Sequence, residues 1–154
     1  MIEELIRAGL VSETTAGRSS MVLLNRNHLA AGPTLALAGL RGELIQRLRT
    51  LLSTWPELLG AWLFGSVARG DAVGDSDVDL LIVARDLGSD DLHHRIARLQ
   101  ADVRSWTGND CQLVEHSAAS WATLVSDKNA LVAQIRLEGI ALITDSESWL
   151  GHRR

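Results

Sequence analysis

The run Leu63-Phe64-Gly65-Ser66-Val67-Ala68-Arg69-Gly70-Asp71, continued by Ser76-Asp77-Val78-Asp79-Leu80-Leu81-Ile82-Val83, decides how this chain is read. A buried strand, Leu58 to Phe64, runs directly into Gly65-Ser66, and a short helical turn follows. Glycine lets another group approach the backbone closely. The exposed N–H groups of such a turn, with the Ser66 hydroxyl, suit an anion such as phosphate. Asp77 and Asp79 open a second strand, Val78 to Ala84. Side chains at i and i+2 share one face of a strand, so these two carboxylates repel each other unless a cation sits between them. Hard oxygens of this kind suit Mg²⁺, which keeps waters and takes further ligands from substrate phosphates. Val78, Leu80 and Ile82 face the opposite way, into the core. Phosphate capture on one loop beside a metal pair on the next strand is the equipment for moving a phosphate-bearing group. An isolated Asp-x-Asp commonly caps a loop, and an isolated Gly-Ser says less still. Here they stand with ten residues between Ser66 and Asp77, in this order, each flanked by strand, and that combination argues for one site.

Working outward, the pattern predicts a mixed α/β (α+β) domain with one sheet of about 4–5 strands and flanking helices. Residues 90–106 are amphipathic, with Leu92, Ile96, Leu99, Val103 and Trp106 on one face and Gly108-Asn109 at the end. Further strands are predicted at 111–115 and 140–143, with helix over 117–137 in one or two pieces. Upstream, leucines at helical spacing from Pro33 to Pro56 predict a connecting helix over 33–57. Before it, a short helix over 2–8 ends at Gly9, and Leu10–Glu13 and Met21–Leu24 flank a Gly17 turn as a β-hairpin. The organisation read from this is 1–32, a helix plus hairpin; 33–57, the connecting helix; 58–146, the site-bearing domain; and 147–154, a polar tail.

Composition sets the outer limits. The chain has 154 residues, about one domain's worth, and its 46% hydrophobic and 22% charged residues exclude disordered and collagen-like classes. A net charge of −4 argues against nonspecific coating of nucleic acid. No apolar run approaches the roughly 18 residues of a membrane helix, and the acidic start carries no signal-peptide pattern. The single cysteine, Cys111, allows no internal disulfide and fits a cytoplasmic setting. Fourteen of the fifteen basic residues are Arg, which codon usage explains as well as phosphate recognition does.

The pattern Gly65-Ser66, Ala68-Arg69-Gly70 and Asp77-x-Asp79 resembles the signature of the DNA polymerase β-like nucleotidyltransferase superfamily, in its minimal nucleotidyltransferase branch. The resemblance covers about residues 58–145. It implies the polymerase β-like fold. It also implies that Gly65 and Ser66 hold the nucleotide triphosphate, with ATP the first candidate, and that Asp77 and Asp79 bind Mg²⁺. Arg69 would help with phosphates or brace the loop; a surface salt bridge to Asp71 or Asp75 explains it equally. The family uses a third carboxylate on the strand after the amphipathic helix. By register that position is Gln112, which is no base; Asp110 shares its parity one step back, roughly 6.6–6.8 Å along the strand, and is the stand-in catalytic residue. Glu115 has the opposite parity.

The N-terminal unit resembles the last helix and wing of a winged helix-turn-helix without its first two helices. Such a wing would reach DNA backbone through Arg18 and Arg26, and its uncovered Leu10, Val11, Val22 and Leu24 imply a homodimer. Three functions compete. The first is transfer of a nucleoside monophosphate from an NTP to a hydroxyl on a protein or RNA acceptor, as in antitoxins that modify a partner toxin. The second is a nucleotide-sensing or DNA-binding regulator with a degenerate site. The third, a structural interaction protein, leaves the intact motifs unexplained.

Overall fold

The computed structural model describes residues 2–143 and 146–150. The chain divides into two compact units, Met1–Gly42 and Glu43–Arg154.

In the first unit, helix α1 (Ile2–Arg7) leads into a hairpin of β1 (Val11–Ala16) and β2 (Ser19–Leu24). The predicted hairpin is present, with Gly17 in its turn. Helix α2 (Ala31–Ala38) follows, with Pro33 in its first turn, where the missing N–H costs nothing. Of the residues expected to be uncovered, Leu10 is buried and Val11 and Leu24 are half-buried, so only Val22 is exposed as expected. Leu10 and Ala31 are the buried apolar residues described here, whereas Met21, Leu23, Leu29, Leu35 and Leu37 are exposed. The single helix expected over 33–57 is two helices. Gly39 ends α2, and α3 (Leu40–Leu52) starts afresh and crosses the boundary between the units.

The second unit is built on a four-stranded mixed sheet. β3 (Leu58–Phe64) is followed by the short helix α4 (Gly65–Arg69), β4 (Val78–Ala84), α5 (Asp90–Thr107) and β5 (Cys111–Ser117). Then come α6 (Ala118–Ser126), α7 (Ala130–Glu138), β6 (Ile140–Ala141) and a closing 3-10 helix, Ser146–Leu150. The strand order is β5-β4-β3-β6. β4 pairs antiparallel with β3 and parallel with β5, and α5 supplies the crossover that a parallel pair requires.

Period-two alternation in β3 and β4 feeds two cores. Ala61, Leu63, Val78, Leu80 and Ile82 pack with Leu44, Leu48 and Leu52 of α3 and Leu92, Leu99 and Val103 of α5. The opposite face, Trp62, Phe64, Leu81 and Val83, packs with Trp121 of α6 and Val132 and Ile135 of α7. The central strands are therefore apolar on both faces, as their unbroken hydrophobic runs require. The strand expected over 140–143 stops pairing after Ala141. Beyond it the Leu142 N–H donates to the Ala61 carbonyl, and the buried Ser146 hydroxyl accepts from Ala61 N–H and donates to the same carbonyl. This hydroxyl closes the edge of β3 where a strand would otherwise be needed. The segment expected to be a polar tail from 147 thus joins the core as far as Leu150, because Trp149 C=O accepts from Trp121 Nε1 and Leu150 C=O from Arg136. Residues 151–154 of that expected tail lie outside the described residues. None of the described helices is long and apolar enough to cross a membrane.

Candidate active site

The site forms where β3 gives way to α4. Phe64 is extended, and Gly65 then turns to φ +71°, the left-handed region that L side chains rarely adopt. The β3–β4 register sets Phe64 opposite Asp79, so the turn lies directly against that carboxylate. A Cβ on residue 65 would stand 2.2 Å from Asp79 Oδ2 and 3.1 Å from its Cγ. Glycine is required there twice over, by its dihedral and by the close approach. Ser66 is half-buried, and its C=O accepts from Gly70 and Asp71 N–H, which closes the short turn.

Asp77 is exposed, Val78 is buried and Asp79 is half-buried. Burial, and then the neighbouring Asp77 charge, hold the Asp79 carboxyl above its ordinary range; the Arg69 charge opposes this and Glu138 adds to it. The pair is therefore strained by like charge in a partly desolvated place, which a divalent cation would relieve. Among the described residues no cluster of three or more His, Cys, Asp or Glu side chains is poised for a metal. The donor set is two hard carboxylates, and that suits a cation which completes its shell with water and phosphate oxygens.

β5 brings Gln112, not Asp110, against the pair. Gln112 is the register partner of Asp79, and its Nε2 donates to Asp77 Oδ2 at 3.4 Å. Asp110 offers its backbone C=O to the Val78 N–H, while its carboxylate is bonded to Arg104. Glu115 lies opposite Ile82, further along the strand. Cys111 is buried opposite Val78; burial, and then the Asp79 charge, push its thiol up to about 12, so it stays neutral as a packing residue.

Arg69 is anchored on two sides, by Asp71 at 3.1 Å and by Glu138 at 2.8 Å. Glu138 is the residue that sequence reasoning missed. Its Oε1 accepts from Gly65 N–H at 3.2 Å and from Gln134 Nε2 at 2.7 Å, and its Oε2 accepts from Arg69 Nη1. These bonds hold its carboxyl below the usual range, with the Arg69 bond the largest cause. One signal pointed to it. Glu138 is the last residue of a helix, where the macrodipole disfavours an anion, so donors from elsewhere must hold it.

Residues 46–147, more than half of the chain, match the family described as Polymerase beta, Nucleotidyltransferase. No curated protein matches the chain. Among solved structures, a chain from a toxin–antitoxin complex with AMP-PNP is 24% identical with a TM-score of 0.45, over 71% of this chain and 80% of that one. A chain from the toxin–antitoxin MntA–HepT is 21% identical with a TM-score of 0.39, over 72% of this chain and 78% of that one.

Proposed function

This chain belongs to the polymerase beta nucleotidyltransferase family, and we propose that it transfers a nucleoside monophosphate from an NTP, ATP first, to a hydroxyl on a protein or RNA acceptor. The observation that carries this reading is the contact of Gly65 with Asp79, which welds the turn to the carboxylate pair so tightly that no side chain fits between them. In this reading Gly65, Ser66 and Arg69 hold the phosphates, and Asp77 and Asp79 hold Mg²⁺. The bound cation would neutralise charge on the phosphates and on the departing pyrophosphate. The acceptor oxygen bonds to the α-phosphorus, the bond from that phosphorus to pyrophosphate breaks, and the hydroxyl proton passes to a base. Asp110 remains the proposed base, and it would have to leave Arg104 to serve.

Gln112 beside Asp77, opposite Asp79, favours a second reading: a nucleotide-sensing or DNA-binding regulator whose site binds but does not transfer. Incubation with ATP labelled on the α-phosphate separates the two. Label on protein or RNA supports transfer, and an antitoxin-type role requires it on a protein. Mg²⁺-dependent ATP binding without label transfer supports the regulator. The partner of the first unit is proposed to be a second copy of the chain, since Met21, Leu23, Leu35 and Leu37 are exposed on a unit that buries little apolar surface. DNA contact through Arg18 and Arg26 of the hairpin unit is proposed only within the regulator reading.

A further inference from the structure

Glu138 occupies donors that the nucleotide reading assigns to phosphate. Its two carboxylate oxygens bridge the Gly65 N–H and the Arg69 guanidinium, and Gln134 steadies it from the preceding turn of α7. Its side chain is 12% exposed, so the carboxylate is lodged against the turn and does not project into water. Helix energetics do not account for a carboxylate there: the C-terminal end of α7 repels it, and Asp79 feels it as a like charge. What holds it is the charge-assisted bond to Arg69 and the N–H of the glycine turn.

We infer that Glu138 is an internal anion that must leave Arg69 and the Gly65 N–H before a triphosphate can take those donors. This rests on the nucleotide reading above. The Gly65 N–H carries one hydrogen and cannot serve the carboxylate and a phosphate oxygen at full strength together. A phosphate would also be a third anion on a guanidinium that already bonds Asp71 and Glu138, beside Asp79, and these like charges repel. Glu138 therefore lowers the apparent affinity for every phosphate ligand by the fraction of molecules in which these donors are free. A polyphosphate carrying its own divalent cation is the ligand class best able to displace it. The opposing role is a brace, in which Glu138 stays in place and aims Arg69 at the phosphates. The two roles move affinity in opposite directions.

The experiment is calorimetric titration of the full chain with Mg·ATP and with Mg·tripolyphosphate, in wild type, Glu138→Ala, Glu138→Gln and Gln134→Ala. Displacement expects Glu138→Ala to bind Mg·ATP about three- to tenfold tighter, since the substitution removes one partly exposed ion pair together with its hydrogen bonds. Glu138→Gln, which drops the charge, gains less, and Gln134→Ala gains least. Mg·tripolyphosphate should gain in the same proportion as Mg·ATP, because the competition concerns phosphate alone. Should Glu138→Ala fail to fold, the other two variants decide. Equal or weaker binding in the Glu138 variants, or a gain confined to Mg·ATP, overturns the inference and leaves the nucleotide reading standing. Absence of Mg·ATP binding in every variant and in wild type overturns both.

Discussion

Replacement of Gly65 by alanine should damage stability and ligand binding together, by amounts that separate into two causes. Alanine at φ +71° costs about 1–2 kcal/mol for the left-handed backbone. The new methyl would lie 2.2 Å from Asp79 Oδ2 and 3.1 Å from Cγ, so swinging the carboxylate tip aside does not suffice and the strand or the turn must move. Overpacking of that kind costs roughly another 1–3 kcal/mol. Gly108 provides an internal control, since its φ is +80° but no atom lies within 4 Å of a Cβ built there. Gly108→Ala therefore meets only the first cost. With about 4 °C per kcal/mol for a unit of this size, Tm should fall by about 8–20 °C for Gly65→Ala and about 4–8 °C for Gly108→Ala. Differential scanning calorimetry reads these shifts, and Mg·ATP titration below the lowered Tm reads the site. Gly65→Ala should weaken Mg·ATP binding at least about tenfold, and Gly108→Ala should leave it unchanged. Equal Tm losses at the two positions would refute the close-contact argument. Wild-type Mg·ATP affinity in Gly65→Ala would show that the site is not built on the meeting of Gly65 and Asp79.

Five further outcomes are expected. Asp77→Asn with Asp79→Asn should hold or raise stability at neutral pH while Mg·ATP binding collapses. The Asp79 carboxyl titrates above its unfolded value, so its destabilising effect is full above that raised range and vanishes below the ordinary carboxylate pKa; the advantage of the variant should thus disappear in acid, and an advantage that grows in acid contradicts the assignment. Gln112→Asp, which sets a carboxylate opposite Asp79, should raise the rate of label transfer; Asp110→Asn should abolish transfer and spare Mg·ATP binding, and retained transfer removes Asp110 from the role of base. Ser146→Ala should lower stability by about 1–3 kcal/mol in urea unfolding, because it strips the Ala61 N–H of its buried partner, and an unchanged midpoint would mean that water replaces the hydroxyl. Multi-angle light scattering should find a dimer that Met21→Glu with Leu23→Glu converts to monomer; a wild-type monomer at high micromolar concentration counts against the second copy.

The legible parts of this chain were those fixed by local periodicity. β3 and β4 read as continuous apolar runs, and both occupy the expected residues, 58–64 and 78–84. The stripe Leu92, Ile96, Leu99 and Val103 gave α5 within a residue of its end. The break at Gly39 is harder to see, because leucines continue through it at helical spacing and mask the interruption. The ending was misread for a different reason. Ser146, Trp149 and Leu150 sit among polar neighbours, and only the open edge of β3 and the partners Trp121 and Arg136 draw them inward.

The same division holds at the site. The sequence by itself determined the glycine turn, the carboxylate pair and their common face, because a strand's alternation and a Gly-Ser junction are local geometry. That Gln112 stands level with the pair came from the resemblance to the nucleotidyltransferase signature, and the β4–β5 pairing sets Gln112 opposite Asp79. Tertiary structure alone decided that Asp110 is turned to Arg104. It alone brought Glu138, 73 and 69 residues along the chain from them, onto the Gly65 N–H and Arg69. No periodicity encodes that meeting, because it depends on how α7 crosses the sheet, which the packing of Trp121, Val132 and Ile135 on the far face of β3 and β4 sets.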